Sequence, residues 1–169
     1  SAGYGKSTLW STSFNNPRGI CANFHYSITG TGDPAGYGFF GAGCAGSMGI
    51  STLSPDVQPA LGNTLNVTVN NLPANVAIML TGLSRTAWAL GALPFDVSAY
   101  GAPGCLLRVS PDANLVLLGS GNQAIWPFGV PNAPAFIGLM LYNQALVLDL
   151  GFNAASAVGS DAHAMLIGY

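Results

Sequence analysis

The fold is decided by the stretch PAFIGLMLYNQALVLDL (Pro134–Leu150). Its residues alternate, so that Ile137, Leu139 and Leu141 share one face and the residues between them share the other. Side chains two positions apart lie on the same face of a strand, and a run that is apolar on both faces is typical of a strand covered on both sides. The pattern therefore predicts a long central strand.

A helix is the alternative for this stretch, because Leu, Met, Ala and Gln are good helix formers. Pro134 and Gly138 favour the strand, which we expect to bend near Asn143–Gln144. A membrane span is disfavoured, because a span needs about 20 apolar residues and this run carries Asp149 and two amides.

Short strand-like segments, separated by Gly, Pro and Asn, lie on both sides of this run. Thr64–Val69 alternates cleanly and places Leu65, Val67 and Val69 inward. Many short strands between such turns indicate an all-β protein, an antiparallel β-sandwich or jelly-roll-like single domain. The other predicted segments are Val76–Gly82, Leu93–Val97, Cys105–Val109, Leu115–Leu118, Ala124–Phe128, Ala157–Gly159 and Ala164–Ile167.

Residues 29–49 are dense in glycine. Glycine permits positive φ and close backbone approach, so we expect a packed loop or an irregular edge there. Phe39, Phe40 and Cys44 are its expected anchors.

Residues 1–36 form a predicted N-terminal arm, and residues 37–169 the β-sandwich domain. Ser7–Phe14 and Ile20–Ile28 are strand-prone, with turn residues between them, and could form a hairpin. Leu9, Trp10 and Phe14 are the arm's candidate assembly residues, able to fill apolar sites. The arm pairs either within its own sandwich or with the sheet of a neighbouring copy.

Charge is scarce in this chain. Charged residues make up 6% of its 169 residues, against about 25% in an ordinary soluble domain. A net charge of −2 with four scattered cations cannot neutralise a phosphate backbone, which excludes a nucleic-acid binder. Half of the residues are hydrophobic, so disorder is also excluded. The chain is either a secreted monomer with a neutral polar surface or a subunit buried against copies of itself.

An extracellular or cell-surface location is expected. The chain begins at Ser1, without an initiating Met or a leader, as an exported protein does after signal-peptide removal. Three cysteines and a single lysine fit an oxidising compartment.

Several phrases together resemble a domain that recurs in predicted secreted proteins of planctomycetes and similar environmental bacteria. The resemblance covers most of residues 37–169 and implies a β-rich extracellular module, while residues 1–36 lie outside it. The phrases are YGFFGAGCAGSMG (Tyr37–Gly49), PALGNTLNVTVNNLPANVAIMLTGLS (Pro59–Ser84), GAPGCLLRVSPD (Gly101–Asp112) and VPNAPAFIGLMLYNQALVLDLGFNA (Val130–Ala154).

The resemblance also implies a disulfide, because Cys44 and Cys105 fall on the family's two cysteine phrases. Such a bond would tie the glycine-rich stretch to the sandwich. Cys21 lies in the arm, where it is a free thiol, an alternative partner, or a link to another subunit.

Catalytic chemistry has little support in the sequence. His25 and His163 are the two histidines, and Asp161 with His163 and some serine could be imagined as a triad, but no GxSxG motif occurs. The six aspartates are spread singly, and three of them stand beside Gly or Pro, where a turn cap is the commoner role. No Cys and His spacing matches a zinc site and no DxDxG calcium loop is present, so we expect no catalytic residues, cofactor or metal.

The sequence thus predicts an extracellular structural subunit that self-assembles into a filament or surface layer, through exchange of the N-terminal strand. Copies of itself are the expected partners, without nucleic acid or a membrane span. The alternative is a secreted monomeric carbohydrate-binding or adhesion module, in which Trp88 and Trp126 stack on glycans. The competing interpretation of these tryptophans is that they lie in the core.

Overall fold

The computed structural model describes residues 34–169 of the chain. The candidate assembly residues Leu9, Trp10 and Phe14, the hairpin of the arm and Cys21 lie outside the described residues.

Within the described residues, fourteen β-strands and two short 3₁₀ turns make up the regular structure. Every pairing between these strands is antiparallel, which confirms the all-β antiparallel class. The strands are β1 (Gly36–Gly41), β2 (Ala45–Gly46), β3 (Gly49–Ile50), β4 (Leu53–Pro55), β5 (Thr64–Asn70), β6 (Val76–Gly82), β7 (Ala87–Trp88), β8 (Gly91–Ala92), β9 (Phe95–Asp96), β10 (Leu106–Leu107), β11 (Ala113–Leu118), β12 (Gln123–Gly129), β13 (Met140–Leu148) and β14 (Ala157–Leu166), and the 3₁₀ turns are Ser98–Tyr100 and Pro134–Phe136.

Two larger sheets dominate the described part of the chain. The five-stranded sheet has the order β1-β14-β13-β6-β11, and the three-stranded sheet has the order β12-β5-β4. Along the described residues the chain changes from one of these sheets to the other four times, from β1 to β4, from β5 to β6, from β11 to β12 and from β12 to β13. The remaining pairs, β2–β3, β7–β8 and β9–β10, are short ribbons.

One apolar core lies between these two sheets. Leu65, Val67 and Val69 of β5 are fully buried, as their alternation predicts. They belong to the same buried cluster as Met79 of β6 and Val147 of β13, which come from the five-stranded sheet. Side chains from two sheets thus share one core, as in a β-sandwich.

The strand prediction for the central run is confirmed from Met140 onward, but its first part is different. Pro134–Phe136 is a 3₁₀ turn, and Gly138, with φ of 81°, lies between that turn and the strand. A left-handed residue cannot continue a ladder, so the strand begins after it.

The expectation that both faces of this strand are covered holds for only part of the outer face, where Gln144 is buried. Alternate residues Leu141 and Val147 are buried in the core, whereas Met140 and Leu146 are exposed on the other face. Apolar residues on both faces here reflect an outer face that is only partly covered.

A bulge lies opposite the middle of β13. Gln144 pairs with Ala162 and Leu146 pairs with Gly159, so Ala145 faces the two residues Ser160 and Asp161 of β14. The Ala145 N–H donates to the Ser160 hydroxyl oxygen at 2.8 Å, and this side chain takes the place of a ladder acceptor. The sequence predicts a bend of β13 near Asn143–Gln144. The irregularity in the structure is instead this bulge, at Ser160–Asp161 of the neighbouring strand β14.

Two further expectations need correction. The two segments expected at Ala157–Gly159 and Ala164–Ile167 are one strand, β14, because the polar residues between them are buried and hydrogen-bonded. Part of the glycine-rich stretch is regular, since Gly36–Gly41 forms β1 at the edge of the five-stranded sheet. Its expected anchor Phe39 is exposed.

Candidate functional site

Four strands lie at the edges of the two sheets within the described residues, and three of them carry a feature that blocks further pairing. β1 contains a register shift between Phe39 and Gly41. β12 contains Pro127, and β4 has only three residues and ends at Pro55. Bulges, prolines and short length are the common means by which proteins protect sheet edges.

The fourth edge, β11 (Ala113–Leu118), has none of these features, and we call it the open edge. Its sequence ANLVLL contains no proline and no charge, and its pairing with β6 is regular over all six residues. An antiparallel strand directs alternate backbone groups away from its single partner, so such an edge can accept another strand.

The side chains of the open edge are apolar and exposed. Leu115 and Val116 are at least half exposed, Leu118 is 80% exposed, and only Leu117 is buried among the four. Val116 pairs with Ile78, which pairs with Leu146 of β13, so three apolar side chains form a row across the outer face of the sheet. This apolar row continues from the open edge onto the sheet.

The beginning of the open edge is fixed by Asp112. Its carboxylate accepts hydrogen bonds from the Leu83 N–H at 2.8 Å and from the Ser110 hydroxyl at 2.7 Å. Both donors favour the charged form of the carboxylate and so lower the pKa of Asp112. The Leu83 N–H has the larger effect and the Ser110 hydroxyl the smaller one. The edge is thus held in register by a charge just outside it, while the strand itself carries none.

The other described aspartates also accept hydrogen bonds within the chain. Asp149 accepts two from Ser47, from its N–H at 2.6 Å and its hydroxyl at 2.8 Å. Asp56 holds Asn66, and Asp96 holds Ser98 at the beginning of a 3₁₀ turn. The pKa of Asp56 and that of Asp96 are both lowered, mainly by these side-chain contacts. The turn-cap expectation describes Asp96, whereas Asp149 joins segments far apart in sequence.

A buried polar cluster surrounds His163 at the opposite end of the five-stranded sheet. His163 Nε2 lies 3.1 Å from Asp161 Oδ2, and the Tyr37 ring stacks on the imidazole with centroids 5.1 Å apart. Asp161 Oδ1 accepts from the Leu53 N–H at 2.8 Å, which ties β14 to the other sheet. Burial, with a smaller contribution from the charge of Asp161, raises the pKa of Tyr37 far above its ordinary value.

The serine hydroxyl next to this cluster in sequence does not contact the imidazole. The nearest serine in sequence, Ser160, donates its hydroxyl to the Asp161 carbonyl oxygen at 2.6 Å rather than to the imidazole. The Asp161 carboxylate thus contacts both the Leu53 backbone and the His163 imidazole. In residues 34–169 no group of three or more His, Cys, Asp or Glu residues could hold a metal ion.

Cys44 and Cys105 form a disulfide, with Cα atoms 5.0 Å apart. The Cys44 N–H donates to the Gly159 carbonyl oxygen at 3.0 Å, which places the bond against β14. The bond thus joins the glycine-rich stretch to the segment that carries β9 and β10.

The tryptophans proposed for glycan stacking do not form open platforms. Trp126 is only 5% exposed and packs beside Phe128 at the core, because β12 directs it inward with Ala124. Trp88 is half-buried, with Phe95 against its ring at 5.4 Å. For Trp126 the core interpretation is correct, and its proposed role in glycan stacking is wrong.

Sequence reasoning predicted a strand at Leu115–Leu118 but did not identify it as an edge. The available signal was comparative: ANLVLL contains neither proline nor charge, whereas the neighbouring predicted segment AIWPF contains Pro127.

Comparison of the chain with models of protein families, with characterised proteins and with solved structures found no match. Residues 34–169 contain no helix long and apolar enough to cross a membrane.

Proposed function

We propose that this protein is an extracellular structural subunit that assembles with copies of itself through the open edge. The observation that carries the proposal is that β11 alone, among the four described edges of the two larger sheets, has neither a register shift nor a proline nor a length of only three residues. Proteins that stay apart in solution protect such edges, so an unprotected apolar edge is typical of a contact surface.

A second copy is the expected partner because the chain itself supplies a suitable strand. Ser7–Phe14 reads STLWSTSF, a strand-prone segment without charge whose Leu9, Trp10 and Phe14 could cover the apolar row. Adding this strand to a neighbour's β11 would satisfy backbone groups of both chains and bury apolar side chains. Such a head-to-tail contact is heterologous, and where its rotation does not close it generates a filament.

The extracellular location is supported by the Cys44–Cys105 disulfide, because such bonds persist in oxidising compartments. The low charge supports the assembly, since 6% charged residues leave little to keep the apolar surfaces of separate subunits apart.

The decisive test compares one lysine at two edges. Val116 of β11 and Ile125 of β12 are both β-branched and are 59% and 58% exposed. V116K should convert assemblies into monomers in size-exclusion chromatography and negative-stain microscopy, because a charge in the contact must be desolvated. I125K, the matched control, should assemble as the wild type does.

A wild type that stays monomeric at high concentration would refute self-assembly. Equal loss of assembly in both lysine variants would refute the open edge as the contact. The role of the arm is tested separately by deleting residues 1–14: if assembly persists, β11 pairs with another β11 instead of with the arm.

A further inference from the structure

A cavity of about 350 Å³ lies on the outer face of the five-stranded sheet, beneath the segment of residues 95–111. Its floor comes from β6, β13 and β14, and its cover from the 3₁₀ turn at Ser98–Tyr100 and the strand β10. Its lining includes Leu80, Val97, Leu106, Leu107, Leu146 and Ala157.

The lining is almost entirely aliphatic, and none of its residues carries a charge. Gln144 is the polar side chain on the floor, and both the oxygen and the nitrogen of its amide already make hydrogen bonds within the protein. Its Nε2 donates to the carbonyl oxygens of Leu106 and Ser160, both at 3.0 Å, and its Oε1 accepts from the Arg108 N–H at 2.8 Å. A ligand inside the cavity therefore finds no open hydrogen-bonding partner at Gln144, which favours an apolar ligand.

The walls of the cavity are fixed in place. The disulfide joins Cys105, which lines the cavity, to Cys44, whose N–H is bonded to Gly159 of β14. The Ala155 N–H donates to the Gly101 carbonyl oxygen at 3.1 Å and closes the other side. Sites for small molecules are commonly preformed cavities of this kind, lined mainly by apolar residues.

The volume is more than twice that of an engineered apolar cavity of roughly 150 Å³ that stays dry and binds benzene. Tyr100 lines the cavity, is 66% exposed, and is the one lining residue whose hydroxyl group could contact the polar end of a ligand at the surface.

We propose that this cavity binds the aliphatic chain of a small uncharged amphiphile, with its hydroxyl or ester end near Tyr100. The aliphatic lining favours an alkyl chain over a sugar or an anion, because every polar group of those ligands would lose its water without a new partner. No residue of the open edge lines this cavity, although Leu146 belongs both to its lining and to the apolar row.

Calorimetric titration of the intact disulfide-bonded protein with octan-1-ol tests the proposal. We expect saturable binding at one site, with affinity increasing from butan-1-ol to octan-1-ol as more apolar surface is buried. A157L, which fills the cavity from β14, should weaken octan-1-ol binding at least tenfold. A164L makes the same change farther along the strand, at a residue that does not line the cavity, and should bind as the wild type does.

Absence of saturable binding to the wild type would overturn the proposal. Equal binding by A157L and the wild type would place the alcohol elsewhere on the apolar surface and would also overturn it. If A157L fails to fold, A155L decides in its place, because Ala155 is an exposed lining residue of the turn before β14. A crystal structure with a brominated alkanol must show bromine density beneath residues 95–111, and density at any other place refutes the site.

Discussion

The two sides of the five-stranded sheet differ in which residues they bury and which they expose. Toward the β1 edge, Ser160, Asp161 and His163 of β14 are polar and buried. Ser160 and Asp161 hold backbone N–H groups of neighbouring strands, and His163 lies against Asp161. At the β11 end, Val116 and Leu118 are apolar and exposed. Exposed apolar side chains are common at protein surfaces, and the open edge is distinguished by carrying them on a strand that nothing protects from further pairing.

The difference shows how a chain with few charges uses them. In β-bulges and loops some backbone N–H groups have no carbonyl partner. A carboxylate that accepts from such a group supplies the missing hydrogen bond. The described aspartates serve this purpose, and β11 carries no charge that would keep another strand away. The contrast leads to four predictions.

The largest effect is expected from removing the disulfide, which lies against β14. The bond spans 61 residues, and closing a span of this length restricts the unfolded chain by about 4 kcal/mol on the loop-entropy model. The double variant C44A/C105A should therefore lower the free energy of unfolding by about that amount in urea titrations. An unchanged midpoint would show that the unfolded chain keeps these segments together without the bond.

The second effect comes from Asp161. D161A removes the acceptor of the buried Leu53 N–H and the partner of His163, and should cost about 3 kcal/mol because the remaining groups stay buried without partners. D96A, at an exposed 3₁₀ turn, is the control and should cost much less. Equal losses in urea unfolding would mean that burial does not distinguish these carboxylates.

The third prediction concerns acid and the beginning of the open edge. The pKa of Asp112 in the folded protein lies below the ordinary value of 3.8. Between these two pKa values the unfolded chain therefore binds more protons than the folded protein does. Stability from Asp112 is therefore present above the ordinary value and is lost as the pH falls through the folded pKa. Unfolding midpoints measured between about pH 5 and about pH 2 should decline less steeply for D112N than for the wild type. Parallel curves would contradict the contact with Leu83.

The smallest effect is expected on the open edge itself. L118S should change the free energy of unfolding by less than about 0.5 kcal/mol, because the side chain is 80% exposed. L117A, one residue away, should cost about 3 kcal/mol because Leu117 is buried. A large loss in monomeric L118S would indicate that the edge is covered within its own chain.

Local patterns predicted the strands whose neighbours impose a simple alternation. β5 is the clearest case, because its inward residues are apolar and its outward residues are polar. The sequence predicts β14 as two segments because the polar residues of SDAH interrupt its apolar pattern. The partners of these polar residues, Leu53 and Ala145, lie far away in sequence or on another strand. A local pattern cannot show a hydrogen bond to a residue 108 positions away.

The same reasoning explains what was missed at the candidate site. An apolar strand at an edge and one in the middle of a sheet have similar sequences, since Leu115–Leu118 is as apolar as the buried segments. Its position depends on which strands pair around it, and that depends on the whole topology. The disulfide was implied only through resemblance.

The two aspartates that join distant segments also constrain the order of folding. Asp149 holds Ser47 across 102 residues, and Asp161 holds Leu53 across 108. During synthesis, the loop around residues 47–53 emerges long before the carboxylates that fix it. The loop around residues 47–53 cannot be fixed until β13 and β14 have been synthesised. The native structure therefore cannot form in the order of the sequence. Contacts this remote in sequence are typical of slow folding, and a ribosome-bound chain that stops before β14 should leave that loop open to proteases.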